Sequence, residues 1–180
     1  MKEKVIEKVI ENLKTAVRTE MEGYSFYIAA SNAIKDEHGQ NVFRHLAKEE
    51  LEHITVLSAI NRSFNVGGGW LSYNDAVAQG VPNKGGAPIF LEENELTKRL
   101  KQNPTEIGAV TIAVEVEEKA VHFYSGLLKA ASEPDEKTVI TKILDMERNH
   151  LKLLRWEHGS IVRTGFWADF MEFSVEKELE

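Results

Sequence analysis

Cysteine is absent from the 180-residue chain, which also lacks a long apolar run and any excess of positive charge. Without cysteine the chain can form no disulfide framework, zinc–thiolate site, iron–sulfur cluster or redox-active thiol. The amino-terminal segment MKEKVIEKVIENLK interrupts its apolar residues with charges, so it resembles neither a signal peptide nor a membrane span. A net charge of −7 without a basic cluster argues against nucleic acid as a partner. These features predict a cytoplasmic protein that binds neither nucleic acid nor membranes.

Helical periodicity runs through most of the chain. Apolar residues recur at alternating spacings of three and four positions, which is typical of amphipathic helices packed in a bundle. A chain of 180 residues suits one domain and can bury a sizeable core without disulfides. We therefore expect an all-α protein with one domain over residues 1–180 and four long helices. The predicted helices span about residues 2–37, 40–64, 104–131 and 134–159.

Local signals indicate where these helices begin and end. Gly39 is a suitable residue to end the first helix, and Gly159 to end the fourth. Asn103 is expected to cap the third helix, with Pro104 in its first turn. Pro134 is expected to begin the fourth helix.

Two segments fall outside the four predicted helices. The first, about residues 65–103, is rich in Gly, Pro and Asn up to residue 89 and should cross the length of the bundle, with a short helix over about residues 91–101. The second is the tail, about residues 160–180, in which a short helix is expected. Its apolar side chains are too many to leave in water, so the tail should cap the bundle or meet another subunit. They are Phe166, Trp167, Phe170, Met171 and Phe173.

Polar residues occupy positions on the four helical stripes where a bundle needs leucine or isoleucine. Burying an unpaired carboxylate is costly, and four carboxylates facing one another also repel. Two divalent cations would balance four carboxylates, and neutral imidazoles would add selectivity beyond oxygen ligands. We therefore predict a buried site for two metal ions, with no catalytic side chain separate from the ligands. The predicted ligands are Glu20, Glu50, His53, Glu117, Glu147 and His150.

An internal repeat supports this site. Residues 16–27, AVRTEMEGYSFY, and residues 113–124, AVEVEEKAVHFY, share the form A-V-x-x-E-x-x-x-x-x-F-Y at an offset of 97. The same offset relates Glu50 to Glu147 and His53 to His150. Residues three apart share a helix face, so each Glu-x-x-His can bind one ion, while the Glu of the other two helices bridges the ions or completes their shells. The repeat predicts two similar hairpins about a pseudo-twofold axis through the site.

These residues resemble the ligand pattern of the ferritin-like superfamily of dimetal carboxylate proteins, and within it the rubrerythrin and erythrin branch. In that pattern two helices each supply one Glu and the other two each supply one Glu-x-x-His. The resemblance covers nearly all of residues 2–158, with the long crossover in the expected place. It implies an up-and-down ferritin-like bundle that holds two metal ions, with iron as the expected metal and manganese as the alternative.

Three departures from that family qualify the resemblance. Rubrerythrin proper carries a rubredoxin-like Cys-x-x-Cys domain, so here electrons are expected from an external donor such as a rubredoxin-like protein. Ala120 stands where the family tends to have a further metal-binding Glu, which calls into question the redox-linked ligand exchange of that Glu. Asp145 and Glu52 are the candidates for the acids that hold the metal-binding histidines.

The resemblance implies a non-haem diiron oxidoreductase that reduces hydrogen peroxide, or oxidises ferrous iron with dioxygen or peroxide. A dimanganese catalase-like enzyme is the alternative within the same fold, and a ferritin-like assembly for iron storage or detoxification is another class. A plain four-helix interaction module would leave the buried acids without compensation. A homodimer or another small homo-oligomer is expected.

Several other polar residues lie near the predicted ligands in the sequence. Tyr27 and Tyr124 lie two turns beyond Glu20 and Glu117 and could hydrogen-bond a bound oxygen species or act as radical sinks; the alternative is a pair of core tyrosines with local partners. Charged residues off the stripes are interpreted as solvated faces, namely Glu49, Glu52, Glu115 and Glu118. The remaining histidines are interpreted as surface or packing residues, namely His38, His45, His122 and His158.

Overall fold

A computed structural model describes residues 2–80 and 93–168. The described chain is entirely helical, with no strand, and confirms the all-α prediction. None of its helices combines the length and apolar character that a membrane crossing requires. The helices are α1 (Lys2–Ala33), α2 (Glu37–Asn65), α3 (Tyr73–Ala78), α4 (Glu95–Gln102), α5 (Glu106–Ala130) and α6 (Pro134–Thr164).

The four long helices form two hairpins. α1 packs along α2, and α5 packs along α6, and each pair is joined by three residues, which brings consecutive helices side by side in opposite directions. Residues 66–105 connect the hairpins and contain the two short helices. α3 packs on α2, whereas α4 packs on α1 and α5. This arrangement is the ferritin-like bundle with a long crossover that the sequence predicts.

The turn between α1 and α2 differs from the expectation. α1 ends at Ala33, because the Asp36 side chain caps α2 by accepting hydrogen bonds from the backbone N–H groups of His38 and Gly39. Gly39 therefore lies in the first turn of α2 and does not end α1. Its role is close packing, since a Cβ at this position would overlap the indole ring of Trp167.

The ends of the second hairpin also differ in detail. Thr105, and not Asn103, caps α5, because its Oγ1 accepts the backbone N–H of Gly108 at 3.1 Å. Pro134 begins α6 as predicted. The helix continues five residues beyond Gly159 and ends at Gly165, whose φ of 80° provides a left-handed cap.

The crossover contains a helix that the sequence pattern does not predict. Residues 73–78 form α3, and the Ser72 side chain caps it. α4 overlaps the predicted short helix of about residues 91–101 and ends one residue beyond it, while residues 91–92 lie outside the described residues. The capping box of α4, in which Asn94 and Thr97 exchange side-chain hydrogen bonds with each other's backbone, accounts for its start.

The described residues beyond α6, 165–168, cap the bundle without forming a helix. Trp167 is buried, packs edge-on against Phe43, and donates its Nε1–H to Glu106 Oε2 at 2.8 Å. Phe166 is 72% exposed. The predicted tail helix falls mainly on residues 169–180, including Phe170, Met171 and Phe173, and lies outside the described residues.

Two apolar clusters form the core, one towards each end of the bundle. One cluster surrounds Phe26, Phe43 and Leu154. The other surrounds Val56, Ile60 and Ile143. Polar residues buried at mid-length of the four long helices separate these clusters, and they are the residues that interrupt the apolar stripes in the sequence.

Candidate metal centre

The structure brings all six predicted ligands together at the middle of the bundle. Each long helix supplies one Glu, and α2 and α6 each add a His one turn later. All six side chains are removed from solvent, with exposures between 0 and 3%. They are Glu20, Glu50, His53, Glu117, Glu147 and His150.

The six residues fall into two overlapping groups, in each of which one ligand atom per residue lies within 4.8 Å of the others. Two carboxylates, Glu50 and Glu147, belong to both groups. With two ions bound, this arrangement would let the two Glu-x-x-His carboxylates belong to both ion sites, while Glu20 and Glu117 would each belong to one. It therefore favours the second of the two expected roles for Glu20 and Glu117, completing a shell. The groups are Glu20, Glu50, His53, Glu147 and Glu50, Glu117, Glu147, His150.

Both imidazoles turn the same nitrogen towards the acids. His53 Nδ1 lies 3.0 Å from Glu147 Oε1 and 3.2 Å from Glu50 Oε2. His150 Nδ1 lies 3.4 Å from Glu147 Oε2 and 3.5 Å from Glu50 Oε1. The rings are stacked with centroids 5.8 Å apart, so the repeat produces two equivalent nitrogen donors on either side of the pseudo-twofold axis.

The outer nitrogen of one imidazole has a carboxylate partner that the sequence interpretation assigned to a solvated face. Glu49 Oε2 lies 2.6 Å from His150 Nε2, and the Glu49 side chain is 33% exposed. The hydrogen bond to His150 lowers the pKa of Glu49. The interpretation of Glu49 was therefore wrong: its carboxylate fixes the orientation of the ring so that Nδ1 faces the acids.

The two acids proposed for this role are engaged elsewhere. Asp145 pairs with Arg148 at 3.0 Å on the surface. Glu52 accepts a hydrogen bond of 2.7 Å from the Tyr73 hydroxyl. Met146 occupies the position 97 residues after Glu49, so the second hairpin offers His53 no equivalent carboxylate. His53 Nε2 has no hydrogen-bond partner among the described residues.

Two tyrosines link the hairpins through the candidate ligands. The Tyr27 hydroxyl donates to Glu117 Oε1, and the Tyr124 hydroxyl donates to Glu20 Oε1. Burial, together with the neighbouring acids, raises the pKa of both phenols, so both remain protonated donors. Each tyrosine thus holds a carboxylate of the opposite hairpin. The hydroxyls do have partners, as the core interpretation expected, but those partners are candidate metal ligands.

The four buried carboxyls form two pairs whose pKa values shift in opposite directions. Burial raises the pKa of Glu20 and Glu117 well above the ordinary value, and the charges of Glu147 and Glu50 add to the effect. Burial also opposes ionisation of Glu50 and Glu147. Hydrogen bonds from Glu20 and the imidazoles nevertheless lower the pKa of Glu50, and the imidazoles lower that of Glu147.

The neighbouring acids favour the protonated, positively charged form of both imidazoles. Burial disfavours the imidazolium form, but Glu147 and the adjacent acids raise the pKa of His53 well above its ordinary value. Glu147, Glu49 and Glu50 do the same for the pKa of His150. Without metal these shifts favour a cluster close to neutral, in which the carboxylates of Glu50 and Glu147 face two imidazolium rings and Glu20 and Glu117 keep their protons.

The donor set fits a pair of divalent cations. Several buried atoms of the cluster have no hydrogen-bond partner among the described residues, namely Glu117 Oε2, both carboxylate oxygens of Glu147, and His150 Nδ1. Four ionised carboxylates would carry a charge of −4, which two divalent ions balance while the imidazoles bind as neutral ligands. Oxygen and imidazole donors of this kind suit iron, manganese or zinc.

The structure also shows where the other residues lie that the sequence analysis placed outside the ligand set. Arg99 pairs with Glu115, and Arg155 pairs with Glu118, each at 2.8 Å on the bundle surface. Ala120 is buried, and its methyl side chain has no atom that can bind a metal ion. The other histidines lie outside both groups of ligands, namely His38, His45, His122 and His158.

Sequence reasoning missed one buried acid, Glu157. It is 0% exposed, accepts the backbone N–H of Ala168 at 2.8 Å, and lies 3.5 Å from His38 Nε2. Burial raises the pKa of its carboxyl. Glu157 lies three positions after Leu154, on the apolar stripe of α6, and this spacing was the signal in the sequence that its side chain is buried. Glu157 anchors the start of the tail and is separate from the candidate metal centre.

Comparison with known proteins decides the family. The sequence model of the rubrerythrin family matches residues 11–157, which include every candidate ligand. The chain belongs to the rubrerythrin family. A solved hypothetical protein from Pyrococcus furiosus has the same fold, with a TM-score of 0.59, 23% identity, and coverage of 88% of this chain and 96% of that one. No curated protein gives a significant match. The chain is therefore a ferritin-like protein with a buried carboxylate and histidine cluster able to hold two metal ions.

Proposed function

We propose that this protein is a non-haem diiron oxidoreductase that reduces hydrogen peroxide or oxidises ferrous iron. The observation that supports this most is the pair of overlapping ligand groups, in which two carboxylates are shared and each group adds its own Glu and His. Shared carboxylates hold two metal ions close enough to act on both oxygens of one small oxidant. Membership of the rubrerythrin family favours iron and oxidoreductase chemistry.

Two ferrous ions at the site would supply one electron each, so that one hydrogen peroxide and two protons give two waters. The chain itself positions the ligands. Tyr27 and Tyr124 orient the carboxylates of Glu117 and Glu20, and Glu49 fixes the ring of His150. The two protons come from solvent, because the carboxyls of Glu20 and Glu117 lose theirs when metal binds.

Because the 180-residue sequence contains no cysteine, we propose that a separate donor, such as a rubredoxin-like protein, returns the electrons. An anaerobic reconstitution tests the proposal: the protein is loaded with two equivalents of ferrous iron and mixed with hydrogen peroxide, with and without a reduced rubredoxin. We expect fast oxidation of both irons and repeated turnover only with the donor. Bound iron that peroxide does not oxidise would contradict the proposal.

The dimanganese catalase-like alternative rests on the same donor set, because carboxylate and imidazole ligands do not by themselves select iron over manganese. Loading with manganese separates the two functions. Dioxygen evolution from peroxide by the manganese form, without any electron donor, would favour the catalase. Turnover by the iron form alone, dependent on the donor, supports the oxidoreductase.

A further inference from the structure

An open groove lies at the end of the bundle where α2 ends and α6 begins. It has a volume of about 550 Å³ and is lined mainly by apolar side chains, including Val5, Ile6, Val9, Phe64 and Trp70. Val5 and Ile6 are 60% and 45% exposed, so the mouth of the groove is in contact with solvent. Small solutes can therefore enter it freely.

A small cavity continues from this groove towards the centre of the bundle. It has a volume of about 20 Å³, and Val9, Trp70 and Glu136 line both spaces. Leu13, Ala16 and Leu57 are among its inner walls. About 10–15 Å³ of such volume is enough for one water-sized molecule, so the cavity can hold a single diatomic or triatomic species.

The inner end of the cavity reaches the candidate metal centre. Tyr124 lines the cavity, is fully buried, and donates its hydroxyl to Glu20. The Tyr124 side chain therefore lies between the cavity, which continues to the solvent-exposed groove, and the carboxylate of Glu20 in the candidate metal centre. Oε2 of Glu136 accepts the backbone N–H groups of Ser132 and Glu133. Apart from Glu136, Asn12 and the Tyr124 hydroxyl, the cavity is lined by apolar side chains.

The opposite end of the bundle is closed at the equivalent place. The offset of 97 relates Trp70 to Trp167 and Val9 to Glu106. Trp167 is 9% exposed, packs on Phe43 and donates to Glu106, so it fills the space at its end. Trp70 contacts Phe64 instead and faces Val9, which offers no hydrogen-bond acceptor on its side chain.

We propose that dioxygen reaches the dimetal centre through this groove and cavity, past Trp70 and Tyr124. The proposal rests on the proposed function, since it names the route of one oxidant. Dioxygen is apolar and partitions readily into such a passage, whereas burial of peroxide without hydrogen-bond partners is costly. Glu49 is 33% exposed and contacts His150, so it offers peroxide a polar contact beside the centre that the apolar passage lacks.

Filling the cavity tests the route. Ala16→Val places two additional carbons in the cavity, and Ala113→Val is its matched control: Ala113 lies 97 residues later, is equally buried at 0%, and packs in the apolar cluster at the other end. The assay is stopped-flow oxidation of the diferrous protein by dioxygen, which takes two electrons from two ferrous ions and, with two protons, gives hydrogen peroxide. We expect the Ala16 variant to be slower than the control by about tenfold or more, which corresponds to a barrier higher by about 1.4 kcal/mol.

Oxidation by hydrogen peroxide provides the second comparison. We expect the two variants to react with peroxide at equal rates. Equal rates with dioxygen would overturn the proposed route, and so would an equal slowing with both oxidants, since that result indicates a disturbed metal centre. Trp70→Ala widens the passage without adding bulk, and a faster reaction with dioxygen than that of the unaltered protein supports the route.

Xenon binding examines the passage independently of any chemistry. In crystals pressurised with xenon, we expect an atom in the cavity beside Tyr124 in the unaltered protein and in the Ala113→Val control, but none in the Ala16→Val variant. Xenon absent from the cavity of the unaltered protein would overturn the route even if the iron is oxidised. Xenon bound there in a protein whose iron does not react would overturn the proposed function and leave the passage established.

Discussion

Uptake of two divalent ions should release about four protons at a pH that lies below the raised pKa values of the centre and above the lowered ones. Glu20 and Glu117 have raised pKa values and hold one proton each without metal, whereas the pKa values of Glu50 and Glu147 are lowered and these carboxyls are ionised. The two imidazoles have raised pKa values and each carries an additional proton. Metal ligation needs ionised carboxylates and neutral imidazoles, so all four protons must leave.

The number of protons fixes how strongly metal binding depends on pH. Each proton released changes the free energy of binding by about 1.4 kcal/mol per pH unit. Four protons therefore make the binding of the ion pair more favourable by about 5.5 kcal/mol per pH unit, as long as all four sites stay protonated in the metal-free protein. Affinity rises with pH and the slope flattens as each raised pKa is passed.

Calorimetric titration with manganese or with anaerobic ferrous iron measures this release, when repeated in buffers of different ionisation enthalpy. Glu117→Gln is the control: it removes one carboxyl proton and should reduce the release at saturation to about three. Release of no more than one proton per two metals would refute the reasoning. It would mean that the metal-free centre keeps its carboxylates ionised beside neutral imidazoles.

Four further substitutions follow from the contacts. Glu49→Gln should weaken binding of one of the two ions by about 10–100-fold in a metal titration, because the carboxylate no longer holds the imidazole it contacts. Glu20→Gln should weaken one ion and Glu50→Gln both, as measured by stepwise titration, because only the second carboxylate belongs to both ligand groups. Gly39→Ala should lower the free energy of unfolding by about 1–3 kcal/mol in urea, because its Cβ overlaps Trp167.

Each of these has a matched control. Glu118→Gln changes a surface ion pair and should leave metal affinity unchanged. If Glu49→Gln also left metal affinity unchanged, the contact between Glu49 and the imidazole would have no role in metal binding. If Glu20→Gln and Glu50→Gln weakened the same number of ions, the shared role of Glu50 would be wrong. Gly126→Ala meets open space in a helix and should stabilise the protein by about 1 kcal/mol, so a stabilising Gly39→Ala would contradict the packing argument.

The sequence predicts the candidate metal centre because the burial of its residues follows from a local property, their spacing along each helix. Spacing along a helix determines which residues share a face, so an acid on an apolar stripe must be buried with the stripe. The repeat then relates the two halves without any knowledge of tertiary structure. Glu20 and Glu117, which stand alone on their stripes, are found in this way, and the structure places both in the buried cluster.

Contacts across the bundle are beyond that reasoning. Glu49 contacts His150 over 101 positions, and Tyr27 contacts Glu117 over 90. Helix spacing gives the direction of a side chain around its own axis but not the rotation or depth at which two hairpins meet. An off-stripe residue such as Glu49 can therefore reach the site from the edge of its helix, and its sequence position resembles that of any solvated acid.

Helix ends were predicted less well because several residues compete for each role. Asp36 and Gly39 both lie near the first turn, and the side-chain cap at Asp36 prevails because it satisfies two backbone N–H groups. Thr105 prevails over Asn103 at α5 because its side chain accepts the backbone N–H of Gly108. α6 extends past Gly159 because the apolar stripe continues, and packing outweighs the low helix propensity of one glycine.

The most direct test of the central claim is to locate the metal ions by anomalous diffraction at the iron edge, in crystals of protein loaded anaerobically with ferrous iron. We expect two peaks per chain within the buried cluster, both next to Glu50 and Glu147, with Glu20 and His53 beside one and Glu117 and His150 beside the other. A cluster without anomalous density, or iron bound only to surface acids, would contradict the claim that four buried carboxylates are there to hold two metal ions.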